Sequence, residues 1–376
     1  MDRARGGTHT GALIMAGIKE VASRAGLSVA TVSRALSGKS NVSAASRRLA
    51  QEAARELGFV PSYHASSLAS GRNHNIGLVV PNVQRWYFSS VLEGVSETLL
   101  DAGYDLTLYN VGEQPGRRSS ILNDFLLRKR LDAVIAVALV LSGDEIRQLL
   151  AVHRPIVGIG GALPGASTIR IDDEGLAALA TRHLIGLGHT RIAHITGDAD
   201  LNRDFKLPQL RQKGFTGAMA AAGLTVRPEW HATADFTIQG AYAAGRRLLG
   251  STAERPTAVF AASDEMAVGI MLAARDFGLQ VPRDLSVVGI DGHELAETFG
   301  LTTISQDPRG QGKLAAATAL ALLGGTGRDS DGGPAAGAVA ATATVQDQEY
   351  PTEFVIRNST AVPPEMVPPK MSSQQA

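Results

Sequence analysis

Two neighbouring runs near the N-terminus decide the fold of this part of the chain: Ile18-Lys-Glu-Val-Ala-Ser-Arg-Ala-Gly26 and Leu27-Ser-Val-Ala-Thr-Val-Ser-Arg-Ala-Leu36. Apolar residues recur at helical spacing in the first run, which ends at Gly26, a residue typical of a helix C-terminus. Ser28 is suited to cap the second helix, because its hydroxyl can accept a backbone N–H two or three residues on. Two short helices around a tight turn containing glycine predict a helix-turn-helix.

A third helix is expected after Ser43, with Leu49, Ala53 and Leu57 facing inward and Gly58 at its end. The second helix carries small side chains near its N-terminus, which suits entry into a DNA major groove. Small apolar side chains can contact thymine methyl groups, arginine can contact guanine, and hydroxyl groups suit phosphates. The expected base contacts are Val29, Ala30 and Arg34, and the expected phosphate contacts are Ser28, Thr31 and Ser33.

Charge is unevenly distributed along the 376 residues, although the whole chain is neutral. Residues 18–72 carry eight basic and three acidic side chains, whereas residues 73–376 carry a net charge of −6. A basic module attached to an acidic body is typical of a DNA-binding domain joined to a domain of another function. A locally basic helical hairpin would show the same charge, so the charge alone does not decide.

The N-terminal sequence resembles the headpiece of the LacI/GalR family of bacterial transcription regulators. The resemblance rests on the two runs quoted above and on three more: Asn41-Val-Ser-Ala-Ala-Ser-Arg47, Ala54-Arg-Glu-Leu-Gly-Phe-Val-Pro-Ser62 and Ala65-Ser-Ser-Leu-Ala-Ser-Gly71. It continues to about residue 363. It implies a DNA-binding headpiece over residues 18–60, with Asn41 in its DNA-contacting set. It also implies a hinge helix over 61–72 that orders on operator DNA, where Leu68 wedges into the minor groove.

Beyond residue 72, apolar β-rich runs alternate with helical patterns. The expected buried parallel strands are 76–80, 105–109, 133–137, 155–159, 191–195, 258–262 and 286–290. The expected helices lie near 89–102, 117–130, 144–153, 174–188, 209–223, 238–250, 265–277 and 308–323. This alternation predicts doubly wound α/β layers. The fold class is therefore α/β, with an N-terminal all-α helix-turn-helix headpiece and, as the resemblance implies, a two-lobed effector domain like periplasmic binding proteins over residues 73–363.

The resemblance also implies how that domain divides. The N-lobe is expected to comprise about 73–172 and 304–325, and the C-lobe about 173–303 and 341–363, with three crossovers between them. Such lobes close about a hinge on a ligand.

The segments outside these domains are expected to be irregular. Residues 1–17 read as a flexible N-terminal extension, with either Met1 or Met15 as the start. The Gly/Ala/Asp-rich stretch 324–339 predicts a flexible insert. The tail 364–376 is expected to be disordered and lacks heptads, so a homodimer is expected rather than a coiled-coil tetramer, and two headpieces suit a pseudo-palindromic operator of double-stranded DNA.

Candidate effector-binding residues stand where predicted strands end, since ligands of doubly wound sheets bind at the C-terminal ends of strands. Tyr87 and Phe88 supply rings that can stack on a ligand, and the family segment they match contributes a stacking aromatic. The alternative is that both rings cap the core of their lobe. Ser263 and Asp264 end another predicted strand.

Three further candidates come from the resemblance. It implies that Phe236 faces the effector, that Asp291 accepts hydrogen bonds from effector hydroxyls or amines, and that Arg211 lies in the pocket or supports it. Sugar-responsive members often carry another arginine where this chain has Gln209, and Arg203 is a substitute donor. These residues favour a carbohydrate effector. A nucleobase corepressor held between aromatic rings remains the alternative, as does, more remotely, a solute receptor without DNA function.

Several other classes are excluded by the sequence. The chain has no cysteine, and therefore no disulfide, cysteine nucleophile or thiolate metal site. Residues 158–165 lack the phosphate-loop pattern because Leu163 stands where glycine is required, and the motif at His293 lacks the second histidine of a zinc protease. We expect no enzyme, no cofactor and no metal. No apolar run approaches the ~18 residues needed to span a membrane, so a cytoplasmic, nucleoid-associated location is expected.

Overall fold

The computed structural model describes residues 17–36, 41–59, 72–112, 120–121, 131–139, 143–151, 154–161, 163–197, 206–250, 254–325 and 346–366. These fall into two compact units that meet in sequence between His74 and Asn75. Some predicted features lie outside the described residues: the N-terminal extension, the hinge segment with Leu68, most of the 117–130 helix, Arg203, nearly all of the insert and the tail beyond 366.

The first unit contains three helices: α1 (Ile18–Ala25), α2 (Val29–Leu36) and α3 (Ala44–Glu56). Gly26 ends α1 in a left-handed conformation, with φ 65°, which glycine adopts without steric cost. The Ser28 hydroxyl accepts the Thr31 N–H at 3.1 Å, and the Ser43 hydroxyl accepts the Ser46 N–H at the same distance. Both predicted helix starts are thereby confirmed, as is the capping role predicted for Ser28, and Ser43 is found to cap α3 in the same way.

The core of this unit is built from small side chains. Its buried members are Val21, Ala22, Val32, Ala35, Ala50, Ala53 and Ala54. The expectation that Leu49 faces inward is wrong, since Leu49 is 46% exposed. Ala53 is buried as expected, and helix α3 buries Ala50 and Ala54 with it, because alanine at i, i+3 and i+4 allows close contact with α1 and α2.

The described strands of the second unit form two six-stranded sheets. The first sheet contains β1 (Asn75–Val80), β2 (Asp105–Asn110), β3 (Ala133–Val137), β4 (Ile156–Ile159), β5 (Ser167–Arg170) and β11 (Asp347–Glu349). The second contains β6 (Ile192–Gly197), β7 (His231–Ala234), β8 (Ala258–Ala261), β9 (Ser286–Asp291), β10 (Thr302–Ser305) and β12 (Glu353–Val355). All seven strands expected from the sequence are present, and every described pairing is parallel except β10 with β12. The expectation that all seven are buried is wrong for β2, which lies at the edge of its sheet and has no buried residue.

Helices cover both sheets, and their apolar faces make the cores of two lobes. They are α4 (Trp86–Asp101), α5 (Gly143–Leu150), α6 (Asp173–Gly186), α7 (Leu207–Ala221), α8 (Ile238–Gly250), α9 (Asp264–Asp276), α10 (Leu295–Thr298) and α11 (Pro308–Gly325). The order β11-β5-β4-β3-β1-β2 of the first sheet corresponds to β12-β10-β9-β8-β6-β7 of the second. The two lobes are thus doubly wound repeats of one architecture. In the part of the chain that is described, no helix is both long and apolar enough to cross a membrane.

The chain passes between the lobes after β5, after β10 and after β11. Two expected lobe boundaries are corrected by the pairing. Residues 347–349, expected in the C-lobe, pair with β5 of the first sheet, and residues 304–305, expected in the N-lobe, pair with β9 of the second. Short strands of this kind carry little pattern of their own, so only the neighbouring strands decide which sheet they join.

Helices α4 and α11 of the first lobe approach each other through paired glycines. A Cβ at Gly94 would lie 2.0 Å from the backbone oxygen of Arg309, and a Cβ at Gly312 would lie 2.3 Å from that of Val91. No side chain fits at such separations, so the glycines permit backbone contact between the helices.

We expect Gly94→Ala to lower the free energy of unfolding by roughly 1–3 kcal/mol, because the added methyl forces the two helices apart. Gly217→Ala is the matched control: it lies on α7 with no atom within 4 Å of its added Cβ. That change should stabilise by up to about 1 kcal/mol through helix propensity. Urea unfolding of both variants measures the difference, and equal effects would show that the α4–α11 contact is looser than described.

Candidate functional site

The predicted DNA-contacting residues of the first unit lie on its surface. Ser28, Val29 and Ala30 are exposed at the start of α2, Thr31 is half-buried, and Ser33, Arg34 and Asn41 are exposed. Val32 and Ala35 face the core, so α2 has one buried and one open side. The Ser28 and Thr31 hydroxyls lie 2.8 Å apart, which places both at the open N-terminal end of the helix. A helix N-terminus exposed in this way can also accept a phosphate.

In the second lobe, the guanidinium of Arg211 is buried among strand and helix ends, with 1% of its surface exposed. Its Nε donates to Asp173 Oδ1 at 2.9 Å, and its Nη1 donates to the carbonyl of Ala262. Nη1 also lies 4.0 Å from Asp291 Oδ1. Nη2 forms an ion pair with Asp173 Oδ1 at 2.8 Å and makes no other hydrogen bond among the described residues.

Two more buried carboxylates stand beside this arginine, at the end of β9 and the start of α9. Asp291 accepts the Gln306 Nε2–H at 2.7 Å and the backbone N–H of Asp264 at 3.3 Å. Asp264 accepts the backbone N–H of His293 at 2.8 Å and the Thr303 hydroxyl at 2.6 Å. Burial raises the pKa of both carboxyl groups, because a buried charge is poorly solvated. One guanidinium is therefore surrounded by three carboxyl groups, those of Asp173, Asp264 and Asp291.

Behind this cluster, the ring of His194 is stacked between Phe215 and Phe260, at centroid distances of 4.9 and 4.7 Å. Its Nδ1 lies 3.1 Å from the Phe260 carbonyl, which requires a proton on that nitrogen. Burial lowers the pKa of His194 to about 3, so the ring is neutral at physiological pH and brings no second positive charge to the three carboxyl groups.

Tyr87 of the first lobe is connected to the cluster through two glutamines. Its hydroxyl donates to Gln311 Oε1 at 3.0 Å, and Gln311 Nε2 donates to the Gln306 carbonyl at 2.6 Å. Burial raises the pKa of Tyr87, and the charges of Asp173 and Asp291 raise it further. The two glutamines were not anticipated from the sequence; the only signal was that Gln306 directly follows a strand.

The remaining candidates are placed differently from one another. The Ser263 hydroxyl accepts the Met266 N–H at 3.2 Å and so caps α9, the helix that begins with Asp264. Phe236 follows β7 at the same sheet edge as the carboxylates, and its ring packs against Gly197. Phe88 is packed in the apolar core of the first lobe, which agrees with the alternative of core capping rather than with an effector contact. Its neighbour Trp86 stacks on His293 of the second lobe instead.

The structure thus brings together Tyr87, Arg211, Asp264 and Asp291. Ser263 caps the helix that carries Asp264, and Phe88 lies in the core of the first lobe. Among the described residues, no group of three or more His, Cys, Asp or Glu side chains is placed to hold a metal ion. A buried guanidinium beside several carboxyl groups can donate to a polar ligand, and the carboxyl groups can accept from it. The two units together define a DNA-binding module joined to a two-lobed ligand-binding fold.

Comparison with known proteins identifies the family. Residues 17–62 match the model described as bacterial regulatory proteins, lacI family, and residues 181–360 match the periplasmic binding protein-like domain. The chain is 35% identical over 307 residues to the HTH-type transcriptional repressor PurR of Vibrio vulnificus, covering 80% of this chain and 90% of that protein. It is 36% identical over 307 residues to the ribose operon repressor of Escherichia coli K12, covering 80% and 91%.

A solved structure of the lac repressor dimer bound to operator and the anti-inducer ONPF is also similar. It has a TM-score of 0.78 at 25% identity and covers 92% of this chain and 99% of that one. The protein belongs to the lacI family of bacterial regulatory proteins, and it is a DNA-binding transcriptional regulator with a two-lobed effector domain.

The raised pKa of Asp291 predicts how stability depends on pH. A carboxyl group whose folded pKa exceeds its unfolded value stabilises the fold at low pH, and that stability is lost as pH rises toward the folded pKa. Asn cannot ionise, so we expect the melting temperature of Asp291→Asn to rise relative to that of the wild type as pH increases from 5 to about 9.

The control for this measurement is Asp347→Asn. The exposed Asp347 carboxylate has a pKa lowered by hydrogen bonds from Thr168 and Arg170, so its contribution is already complete at pH 5. Its melting profile should run parallel to that of the wild type across this range. A parallel profile for Asp291→Asn as well would mean that Asp291 is ionised in the folded protein throughout.

Proposed function

We propose that the protein is a repressor that binds a pseudo-palindromic operator as a homodimer, and that a carbohydrate bound between its lobes controls this binding. The observation that carries the effector proposal is the buried Arg211, whose Nη2 pairs with Asp173 Oδ1 at 2.8 Å and makes no further hydrogen bond among the described residues. Neighbouring hydroxyls of a sugar can accept from a guanidinium and donate to a carboxylate at the same time. As a repressor it acts on the chromosome, in the cytoplasm and at the nucleoid.

The proposed DNA contacts are those of the exposed side of α2. Val29, Ala30 and Arg34 would read base edges, while Ser28, Thr31 and Ser33 would hold phosphates, with Asn41 beside them. Leu68, outside the described residues, is proposed to wedge into the central minor-groove step, as the resemblance implies. The dimer is supported by the related lac repressor, which was solved as a dimer on its operator.

The effector site is proposed to span both lobes. Arg211 and Asp291 belong to the second lobe and would bind hydroxyl groups, while Tyr87 reaches them from the first lobe through Gln311 and Gln306. A ligand held by both lobes stabilises one arrangement of them over another. Such a ligand changes operator affinity only to the extent that it prefers one arrangement, and couplings of about 1–3 kcal/mol are typical.

A nucleobase corepressor is the second candidate, and one observation favours it. The Phe236 ring and the Tyr87 ring come from different lobes, and two aromatic rings suit a planar heterocycle. The chain is similar both to a ribose operon repressor and to PurR.

Fluorescence anisotropy of the full chain on the DNA upstream of its own gene, with and without a panel of sugars and nucleobases, tests both proposals. Binding that falls steeply with salt and is released by a sugar supports the inducible repressor, because neutralised phosphates release counterions. Binding only in the presence of a nucleobase supports the corepressor. Equal binding to any DNA, with no response to any compound, contradicts both.

The DNA contact of Arg34 is tested by Arg34→Ala. We expect a loss of about 1–3 kcal/mol on the operator and relaxed discrimination at one base position. Arg24→Ala is a matched control, since Arg24 pairs with Glu56 at 2.6 Å on the same unit and should affect operator and random DNA alike, and only slightly. If Arg34→Ala loses equal affinity on random DNA, Arg34 contacts phosphate and not a base.

The effector role of Asp291 is tested by Asp291→Ala. This variant should bind operator like the wild type and lose the response to the effector found above, because the acceptor for its hydroxyl groups is gone. Asp347→Ala, which removes an exposed carboxylate of the first lobe, should respond normally. A normal response of Asp291→Ala would place the effector elsewhere.

A further inference from the structure

Arg85 of the first lobe crosses to the second lobe and holds two consecutive backbone carbonyls. It lies directly before α4, and its Nη2 donates to the Asp235 carbonyl at 2.7 Å while its Nη1 donates to the Phe236 carbonyl at 3.2 Å. Burial raises the pKa of Glu265, and the charge of Arg85 opposes that rise more than any other group does. The guanidinium therefore lies close enough to Glu265 for its charge to be felt there, beside the backbone of Asp235 that it binds.

One of the two carbonyls that Arg85 holds belongs to a strained position. Phe236 has φ 58°, a left-handed conformation that a bulky residue adopts only when its surroundings impose it. The Phe236 ring lies against Gly197 at the end of β6, where any Cβ would come within 2.0 Å of the ring carbon Cε2. The ring is thus held between the flat surface at Gly197 and a backbone whose carbonyl is bound from the opposite lobe.

A second interlobe contact follows immediately in sequence. Trp86 stacks on His293, with ring centroids 4.5 Å apart and planes inclined by 30°. His293 is in turn connected to the cluster, since its backbone N–H donates to Asp264. Arg85 and Trp86 therefore contact the second lobe at two separate points along the same sheet edge, one after β7 and one after β9.

We propose that Arg85 is a positioning residue, and that Arg85 and Trp86 form a clasp that couples closure of the lobes to placement of the Phe236 ring. This inference rests on the proposed function only in taking the space between the lobes as the effector site. Arg85 need not touch the effector. Its hydrogen bonds are partly exposed, so opening the lobes exchanges them for bonds to water at little net cost. A clasp of that strength can be shifted by a ligand of modest affinity.

The chain provides its own reporter for the clasp. It contains two tryptophans, and Trp230 is buried in the core of the second lobe beneath Arg227. Acrylamide quenching in the full chain therefore reports mainly on Trp86, and Trp86→Phe identifies its share of the signal. We expect Arg85→Ala to raise the quenching constant at least about twofold, because opened lobes separate Trp86 from His293. The quenching constant of Arg85→Lys should lie between those of the wild type and Arg85→Ala, since an ammonium group lacks the planar fork that binds both carbonyls.

Arg309→Ala is the matched control, because Arg309 pairs with Glu93 and Glu97 inside the first lobe. It should leave quenching unchanged. Hydrogen exchange reports on the ring position: amides of residues 235–240 should exchange faster in Arg85→Ala than in Arg309→Ala, with equal melting temperatures. If quenching and exchange in Arg85→Ala match those of the wild type, the clasp proposal is overturned.

A last arm separates this proposal from the proposed function. D-ribose, cellobiose and adenine are titrated into the wild type and Arg85→Ala, with Trp86 fluorescence as the readout. A probe that binds the wild type should bind Arg85→Ala more weakly, by roughly 5- to 150-fold; equal affinity for both contradicts the positioning role. If none of the three probes changes the Trp86 fluorescence of the wild type, the effector proposal is contradicted for those compounds. The quenching and exchange of the variants without probe still test the clasp proposal.

Discussion

Burial of the Arg211 guanidinium constrains the arrangement around the site. A charge removed from water must be paired and hydrogen-bonded, or the fold loses several kcal/mol. Its partners come from three separate places: Asp173 at the start of α6, the Ala262 carbonyl just after β8 and Asp291 at the end of β9. Because these groups must meet around one side chain, the helices and strands of the second lobe are fixed in register with one another.

The same cluster retains groups that can bind a ligand. Three carboxyl groups surround one guanidinium, and burial raises the pKa of two of them, Asp264 and Asp291. Such a cluster has more hydrogen-bond acceptors than donors, so a ligand that supplies donors stabilises it. The first lobe takes part through Tyr87 and Arg85, so occupation of the site and the relation between the lobes are physically connected. That connection is what an effector-controlled regulator requires.

Local sequence pattern was sufficient for much of the fold. Apolar runs of five residues predicted the central strands correctly, because strands buried on both faces are apolar throughout. Ser28, Ser43 and Gly26 act within one helical turn, so their capping roles could be read without the tertiary structure. Errors arose where packing between elements decides: which stripe of α3 is buried, and which sheet the short strand Asp347–Glu349 joins.

The sequence by itself determined the class of the protein, its headpiece and the position of Asp264 and Asp291 at strand ends, because these depend on neighbours in the chain. Only the tertiary structure decided that Phe88 faces the core while Trp86 and Arg85 reach the other lobe. It alone also revealed Gln306 and Gln311 as the link to Tyr87. Side chains that are adjacent in sequence, such as those around the start of α4, face in different directions. Contacts between residues 150 or more positions apart produce no periodic pattern in the sequence.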